Sequence, residues 1–233
     1  MPHCDFFCGF GRLAGLCIVL WSLLASVSQA SDWQTVENTS DGIQVLKKEI
    51  SDSSLVAFRG VGVVDAPLPL VATLIFDTAR GTKWIKGLDE SRILRWIDED
   101  EFVKYDHIGL PFFLSDRDFV TKIKMSFDLR KKELIFHYRQ TDDPSAPHTS
   151  YIRGEMIETT TITLRSIEDD KKTWVDAAFL CDPKGQLPQW LVNFFQQDWP
   201  KSTFRNLRKE ALKSDISVDP RFSQLLIQGK IIQ

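Results

Sequence analysis

The chain has 233 residues, with 32 acidic and 29 basic side chains, a formal charge of −3 and 43% hydrophobic residues. This near-neutral balance excludes a nucleic-acid binder, which needs Lys and Arg clustered on a basic surface. The length suits one domain that builds its own core behind a short leader, and we read it as a monomer.

The first 30 residues read as a targeting segment rather than fold. Residues 13–27 form an apolar run broken only by Gly15, Ser22 and Ser26, and Ser28-Gln29-Ala30 puts small residues where a signal peptidase reads. A bilayer span needs about 20 apolar residues, so the expectation is a signal peptide over 1–30, with an uncleaved signal anchor as the alternative. The leader carries only Arg12, offset by Asp5, as its charged pair. Cys4, Cys8 and Cys17 lie within it, which leaves Cys181 alone and the exported domain without an internal disulfide. Cys181 closes an apolar strand before Asp182-Pro183 and reads as a buried hydrophobe rather than a nucleophile. An exported domain without disulfides suits a bacterial periplasm. In a eukaryotic secreted protein, Asn38-Thr39-Ser40 would be a glycosylation acceptor.

Residues 33–40 form a short leading segment, and Asp41-Gly42 is a turn signal. Ile43, Val45, Lys47 and Lys48 suggest a strand, with a neighbour from Val56 to Val64 across the Asp52-Ser53-Ser54 turn. Prolines open an apolar helix over 67–76, and a second helical piece over 79–84 completes the excursion. Strands follow at Ile93, Leu94 and Trp96, at Phe102, Val103 and Tyr105, and over 117–129, 133–139, 155–167 and 172–180. The acidic run Asp98-Glu99-Asp100-Glu101 lacks the spaced ligands and glycine of a calcium loop and reads as a hairpin turn. Roughly eight strands in meander order predict a bent antiparallel sheet whose apolar face must be covered.

The cover is a C-terminal helix. Pro188 suits its first turn, and Trp190, Leu191, Phe194 and Phe195 recur at helical spacing. Pro200 interrupts or kinks it, and Phe204, Leu207, Ala211 and Leu212 resume the stripe. The tail over 215–233 docks back through Leu225, Leu226 and Ile227.

Two segments carry a family resemblance: Leu110-Pro111-Phe112-Phe113-Leu114-Ser115-Asp116-Arg117-Asp118-Phe119-Val120, and Asp182-Pro183-Lys184-Gly185-Gln186-Leu187-Pro188-Gln189-Trp190-Leu191-Val192. With Asp77 seven residues before Trp84, Tyr105 leading into Leu110-Pro111, and Tyr151-Ile152-Arg153-Gly154 opening a strand, their order resembles the START family of lipid transfer domains. The resemblance runs from about Trp33 to Leu212. It implies an α+β helix-grip fold over 31–214, a curved antiparallel sheet wrapped around a long C-terminal helix with an internal hydrophobic cavity. It also implies a cargo of one lipid or other hydrophobic small molecule, transient membrane contact, no cofactor, no metal and no catalytic residue. Trp84, Leu110, Phe112, Phe113, Leu191, Phe194, Phe195 and Phe204 are the expected cavity or gate residues. Arg117, Asp118, Asp182 and Gly185 are expected to form the framework.

The chain departs from two cargo patterns of that family. Where phosphatidylcholine carriers place an arginine and an aspartate around the residue equivalent to Trp84, this chain has Gly81 and Ile85, with Arg80 one residue away. Where sterol carriers place an arginine six residues after the equivalent of Arg117, it has Ile123. A hydrolase or cyclase on the same fold would need converging titratable groups. The mature chain offers only His107, His137 and His148, with no zinc-helix spacing and no Gly-x-Ser-x-Gly elbow. Asp106-His107 reads as a surface strand pair. A cargo-free envelope adaptor is the third reading.

Overall fold

The structure is a computed structural model that describes residues 33–53, 55–157, 160–188, 190–191, 195 and 198–228. The signal segment expected over 1–30 lies outside the described residues.

Alternating apolar and polar residues dictate the strands. In β10 (Thr160–Ile167) every second residue is buried, and β3 (Val56–Val64) shows the same alternation with one slip. The other long strands are β2 (Gln44–Glu49), β4 (Leu88–Asp98), β5 (Glu101–Ile108), β6 (Arg117–Asp128), β7 (Glu133–Gln140) and β11 (Lys172–Phe179). The leading segment is itself an edge strand, β1 (Gln34–Asn38). The expected strand over 155–167 is split into β9 (Glu155–Met156), which pairs with β12 (Cys181–Asp182), and β10; just before it, β8 (Ile152–Arg153) runs parallel to β6.

The strand order is β1-β2-β3-β11-β10-β7-β6-β5-β4, antiparallel along its length. This corrects the meander. After β3 the chain crosses to the opposite edge through α1 (Leu68–Phe76) and α2 (Thr78–Trp84), and β11 returns to pair with β3. The helix α1 can make that crossing inside the fold because it is apolar nearly all round, with Leu68, Val71, Ala72, Leu74 and Ile75 buried. Asp77 ends α1 and caps α2, its carboxylate accepting the Arg80 amide at 2.9 Å.

The C-terminal helix α3 (Trp199–Ala211) lies across β3. Pro200 stands in its first turn, and Phe195 and Asp198 just before it have π-helical geometry. Such widening is expected where a proline removes an N–H from the ladder. Phe204, Leu207 and Ala211 face the core, but Leu212, expected to continue the stripe, is exposed. Arg205 and Arg208 clip the helix to the β1–β2 turn and to β3, through the Asp41 carboxylate at 2.8 Å and the Val63 carbonyl at 2.8 Å.

The crossing is close because β3 carries glycines there. A Cβ on Gly62 would sit 3.0 Å from the Phe204 ring, which is backed by the Arg208 guanidinium 5.3 Å from its centroid. Gly62→Ala should therefore cost about 1–3 kcal/mol by overpacking, read as a lowered urea midpoint. An unchanged midpoint would show that the helix can lift away freely.

The tail makes two short helices, α4 (Pro220–Ser223) and α5 (Leu225–Gln228). Its docking residues differ from expectation. Leu225 is fully buried, but Ile227 is exposed, and the main contact is Phe222, edge-on to Phe76 at 5.7 Å. Arg221 lies over the Phe76 and Trp96 rings, at 4.8 and 5.0 Å.

Candidate functional site: an aromatic rim and a polar patch on the inner face

The loop between β5 and β6 ends in a turn closed by the Leu114 amide on the Pro111 carbonyl at 2.8 Å. The turn presents Phe112, 99% exposed, and Phe113, 59% exposed. Large apolar side chains in a contiguous exposed patch mark an interaction surface. Phe113 lies 6.3 Å from Trp190, itself exposed at the start of the C-terminal helical segment, so loop and helix share one aromatic rim. Leu110 and Leu114 are half-buried at the base of the loop. There the Asp116 carboxylate accepts the Leu110 amide at 2.8 Å and meets His107 Nε2 at 2.9 Å. Burial works to raise the Asp116 pKa, but these two hydrogen bonds leave it below the usual carboxylate range.

Arg117 and Asp118 point to opposite faces of β6, and Arg117 holds this rim in place. Arg117 is buried and donates to the carbonyls of Ser115, Pro183 (3.2 Å) and Lys184 (3.1 Å). One guanidinium thus ties the loop base to the 182–185 turn that leads to Trp190. Gly185 takes φ +68° there, with Arg117 Nη2 3.5 Å from where a Cβ would project. The Asp182 carboxylate closes the turn on the Lys184 amide at 2.8 Å. Asp118, fully buried, accepts Arg153 at 2.7 and 3.0 Å and Thr149 at 3.0 Å.

The other expected cavity residues are packed into the body. Trp84 is buried, and its indole N–H reaches the Leu74 carbonyl at 3.3 Å, bracing α2 against α1. Phe204 sits on the β3 glycines and Leu191 is buried. Phe195 is half-buried, and Phe194 lies outside the described residues. Arg80 is engaged elsewhere, paired with Glu210 at 2.7 Å and Asp215 at 2.8 Å. Burial pushes the Cys181 thiol up to about 11, with the Asp182 carboxylate adding to the effect, so it is no thiolate at neutral pH.

The inner face of the sheet carries a feature that strand-by-strand reading missed. Phe102, Lys104 and Asp106 alternate along β5 and share one face, and Phe102 belongs to the core beneath the helices. Lys104 Nζ lies 3.1 Å from Asp106 Oδ2, with side chains 10% and 16% exposed. Thr121 of β6 stands opposite Lys104, and Ser91 of β4 opposite Asp106. Four buried side-chain polar atoms lack a hydrogen-bond partner among the described residues, and three are here: Ser91 Oγ, Asp106 Oδ1 and Thr121 Oγ1. Each such atom costs about 1–3 kcal/mol, so three in one patch require an explanation. Burial raises the nearby Tyr138 hydroxyl above its usual pKa, and the Asp106 carboxylate adds to the shift. This corrects the Asp106-His107 surface pair. The two side chains point to opposite faces, Asp106 inward to Lys104, while His107 pairs with Asp116 and stacks on Tyr151 at 4.3 Å.

The order of these parts matches one known family, whose model, described as the START domain, aligns with residues 22–199. The chain belongs to the START domain family. The phosphatidylcholine transfer protein of Rattus norvegicus is 24% identical over 185 residues, covering 77% of this chain and 83% of the relative. Human StAR-related lipid transfer protein 5 superposes with a TM-score of 0.70 at 19% identity, over 79% of this chain and 88% of that one. A STAR-related lipid transfer protein fragment from Xanthomonas axonopodis gives 0.64 at 21%, over 78% and 100%. At these identities the solved structures share its fold.

Within this START fold the positions where charge would mark two cargo patterns are apolar surroundings. Gly81 packs against Leu88 and Ile85, and Ile123 lies buried between Phe102 and Tyr138. Charge enters the inner face instead at Lys104 and Asp106. The sequence signal was their two-residue spacing in register with Phe102, which puts both on whichever face Phe102 takes. A cleft of about 470 Å³ beside Trp96, Asp98, Glu99 and Arg221 opens at the β4–β5 turn.

Proposed function

We propose that the protein encloses one lipid or other hydrophobic molecule between the inner face of its sheet and the C-terminal helix, and carries it between membranes as a monomer. The observation that carries this reading is an inner face, apolar over most of its length, whose helix and flanking loop meet at the exposed rim of Phe112, Phe113 and Trp190. Such a rim can enter a bilayer while the loop and helix part. Family membership and the lipid-transfer names of its relatives support the same reading. The apolar run and Ser28-Gln29-Ala30 support an exported location, in the periplasm of a bacterium.

The physics favours a carrier. Exposing a methylene costs about 0.8 kcal/mol, so a sixteen-carbon chain meets a barrier on the order of 12 kcal/mol on leaving a membrane. A protein that covers the chain during transit removes most of it.

Mass spectrometry of the full chain, purified without detergent and sprayed under native and then denaturing conditions, tests the proposal. A stoichiometric lipid released on denaturation is the expected result. An empty protein that also extracts nothing from mixed vesicles would overturn it.

A further inference from the structure

We infer that Phe222, carried by the C-terminal tail, is the end stop for the cargo's hydrocarbon chain and so sets the chain length the protein accepts. The inference rests on the carrier reading and specifies its ligand. Phe222 is fully buried in the core, although it comes from a four-residue helix beyond the stretch that the family model aligns. Its ring lies edge-on to Phe76 of α1 at 5.7 Å and to Phe136 of β7 at 6.5 Å. Phe76 in turn meets Phe102 of β5 edge-on at 5.6 Å. Phe102 stands opposite Ile123 of β6, and Phe136 opposite Met125, two residues on, so both rings share the inner face. These four rings form a wall across that face from β5 to β7.

The wall stands at the far end of β5 from the rim. Phe102 lies six residues before Ile108, where β5 runs into the rim loop, a distance of about 20 Å at 3.3 Å per residue. One leaflet of a bilayer's hydrocarbon core is about 15 Å thick, so an acyl chain whose polar end sits just inside the rim reaches the wall. The tail holds its ring firmly against α1 and β4. The Asp219 amide donates to Thr73 Oγ1 at 2.9 Å, Arg221 covers the Phe76 and Trp96 rings, and Leu225 is fully buried. Arg221 lines the cleft at the β4–β5 turn while the next residue, Phe222, lies in the core, so the tail divides cleft from core here. A chain one methylene too long must leave that methylene uncovered, which lowers uptake about fourfold.

The test uses the full chain and vesicles in which phosphatidylcholine, phosphatidylglycerol and diacylglycerol are each supplied as a series of monounsaturated chain lengths. The series runs from about fourteen to about twenty-two carbons in even steps, bracketing the depth of one leaflet. Protein-bound lipid is quantified by mass spectrometry. Wild type should show a cutoff, with uptake falling at least about tenfold over the first step beyond it. Phe222→Ala should move the cutoff to longer chains by about one step or more, and Phe222→Trp should move it to shorter ones. Phe222→Leu reads the lengthening more mildly should the alanine variant fold poorly. A merely structural ring predicts lowered melting temperatures with the cutoff unmoved, and lost packing cannot shorten the chain accepted by the tryptophan variant. A wild-type distribution without a cutoff, or one that no variant moves, overturns the inference and leaves the carrier reading standing. Uptake of no lipid from any series sinks both.

Discussion

Vesicle-to-vesicle transfer by the Phe112→Asp, Phe113→Asp protein is expected to run about a hundredfold slower than wild type, at an unchanged melting temperature. Burying a Phe side chain is worth about 1.5–3 kcal/mol, and a factor of ten in rate needs only about 1.4 kcal/mol. Two rings that leave water for the bilayer in the rate-limiting step therefore supply a hundredfold between them. Stability should not follow, because Phe112 contributes almost no buried surface and Phe113 little. Neutral phosphatidylcholine vesicles keep charge repulsion out of the comparison, and Phe112→Ser with Phe113→Ser should retain most of the defect. Wild-type transfer rates in both variants would show that the rim does not meet the membrane.

The largest loss of stability is expected from Arg117→Met. Its volume and apolar stem are kept, but the carbonyls of Ser115, Pro183 and Lys184 lose their common donor. Leaving a buried acceptor unsatisfied costs about 1–3 kcal/mol. The total should be about 3 kcal/mol or more, set against the roughly 5–15 kcal/mol that holds a domain folded. Urea denaturation measures it directly. Arg117→Lys should rescue only part, since one ammonium cannot match the planar fork that reaches three carbonyls. The substitution should also loosen the rim, because this guanidinium ties the loop base to the 182–185 turn. A midpoint shift under about 1 kcal/mol would mean that water replaces the guanidinium, and that Arg117 is no framework residue.

Much of the fold was readable from local pattern. Two-residue alternation located the long strands from β2 onward, and the prolines at 67 and 69 marked the start of α1. Alternation fails where strands are too short to show it: β8, β9 and β12 have two residues each and are held by partners distant in sequence. The edge strand β1 was read as a leading segment because its residues are mostly exposed and carry little apolar period.

The limits at the site have the same origin. The aromatic rim was legible because Phe112 and Phe113 are conspicuous in a turn, and a turn lies at the surface. Phe222 was passed over because a single Phe in an irregular tail has no period to betray burial. The pairing of Asp106 was misread because sequence neighbours on a strand are never face neighbours.

The sequence by itself determined which residues alternate, where the chain turns, and that its two signature segments resemble the START family. Only the tertiary structure decided that β3 lies beside β11, that Arg117 joins two segments 66 residues apart, and that Ser91, Lys104, Asp106 and Thr121 share one buried patch. Alternation assigns each side chain a parity along its own strand. Which parities meet depends on cross-strand register, and register is settled by burying the whole apolar face at once.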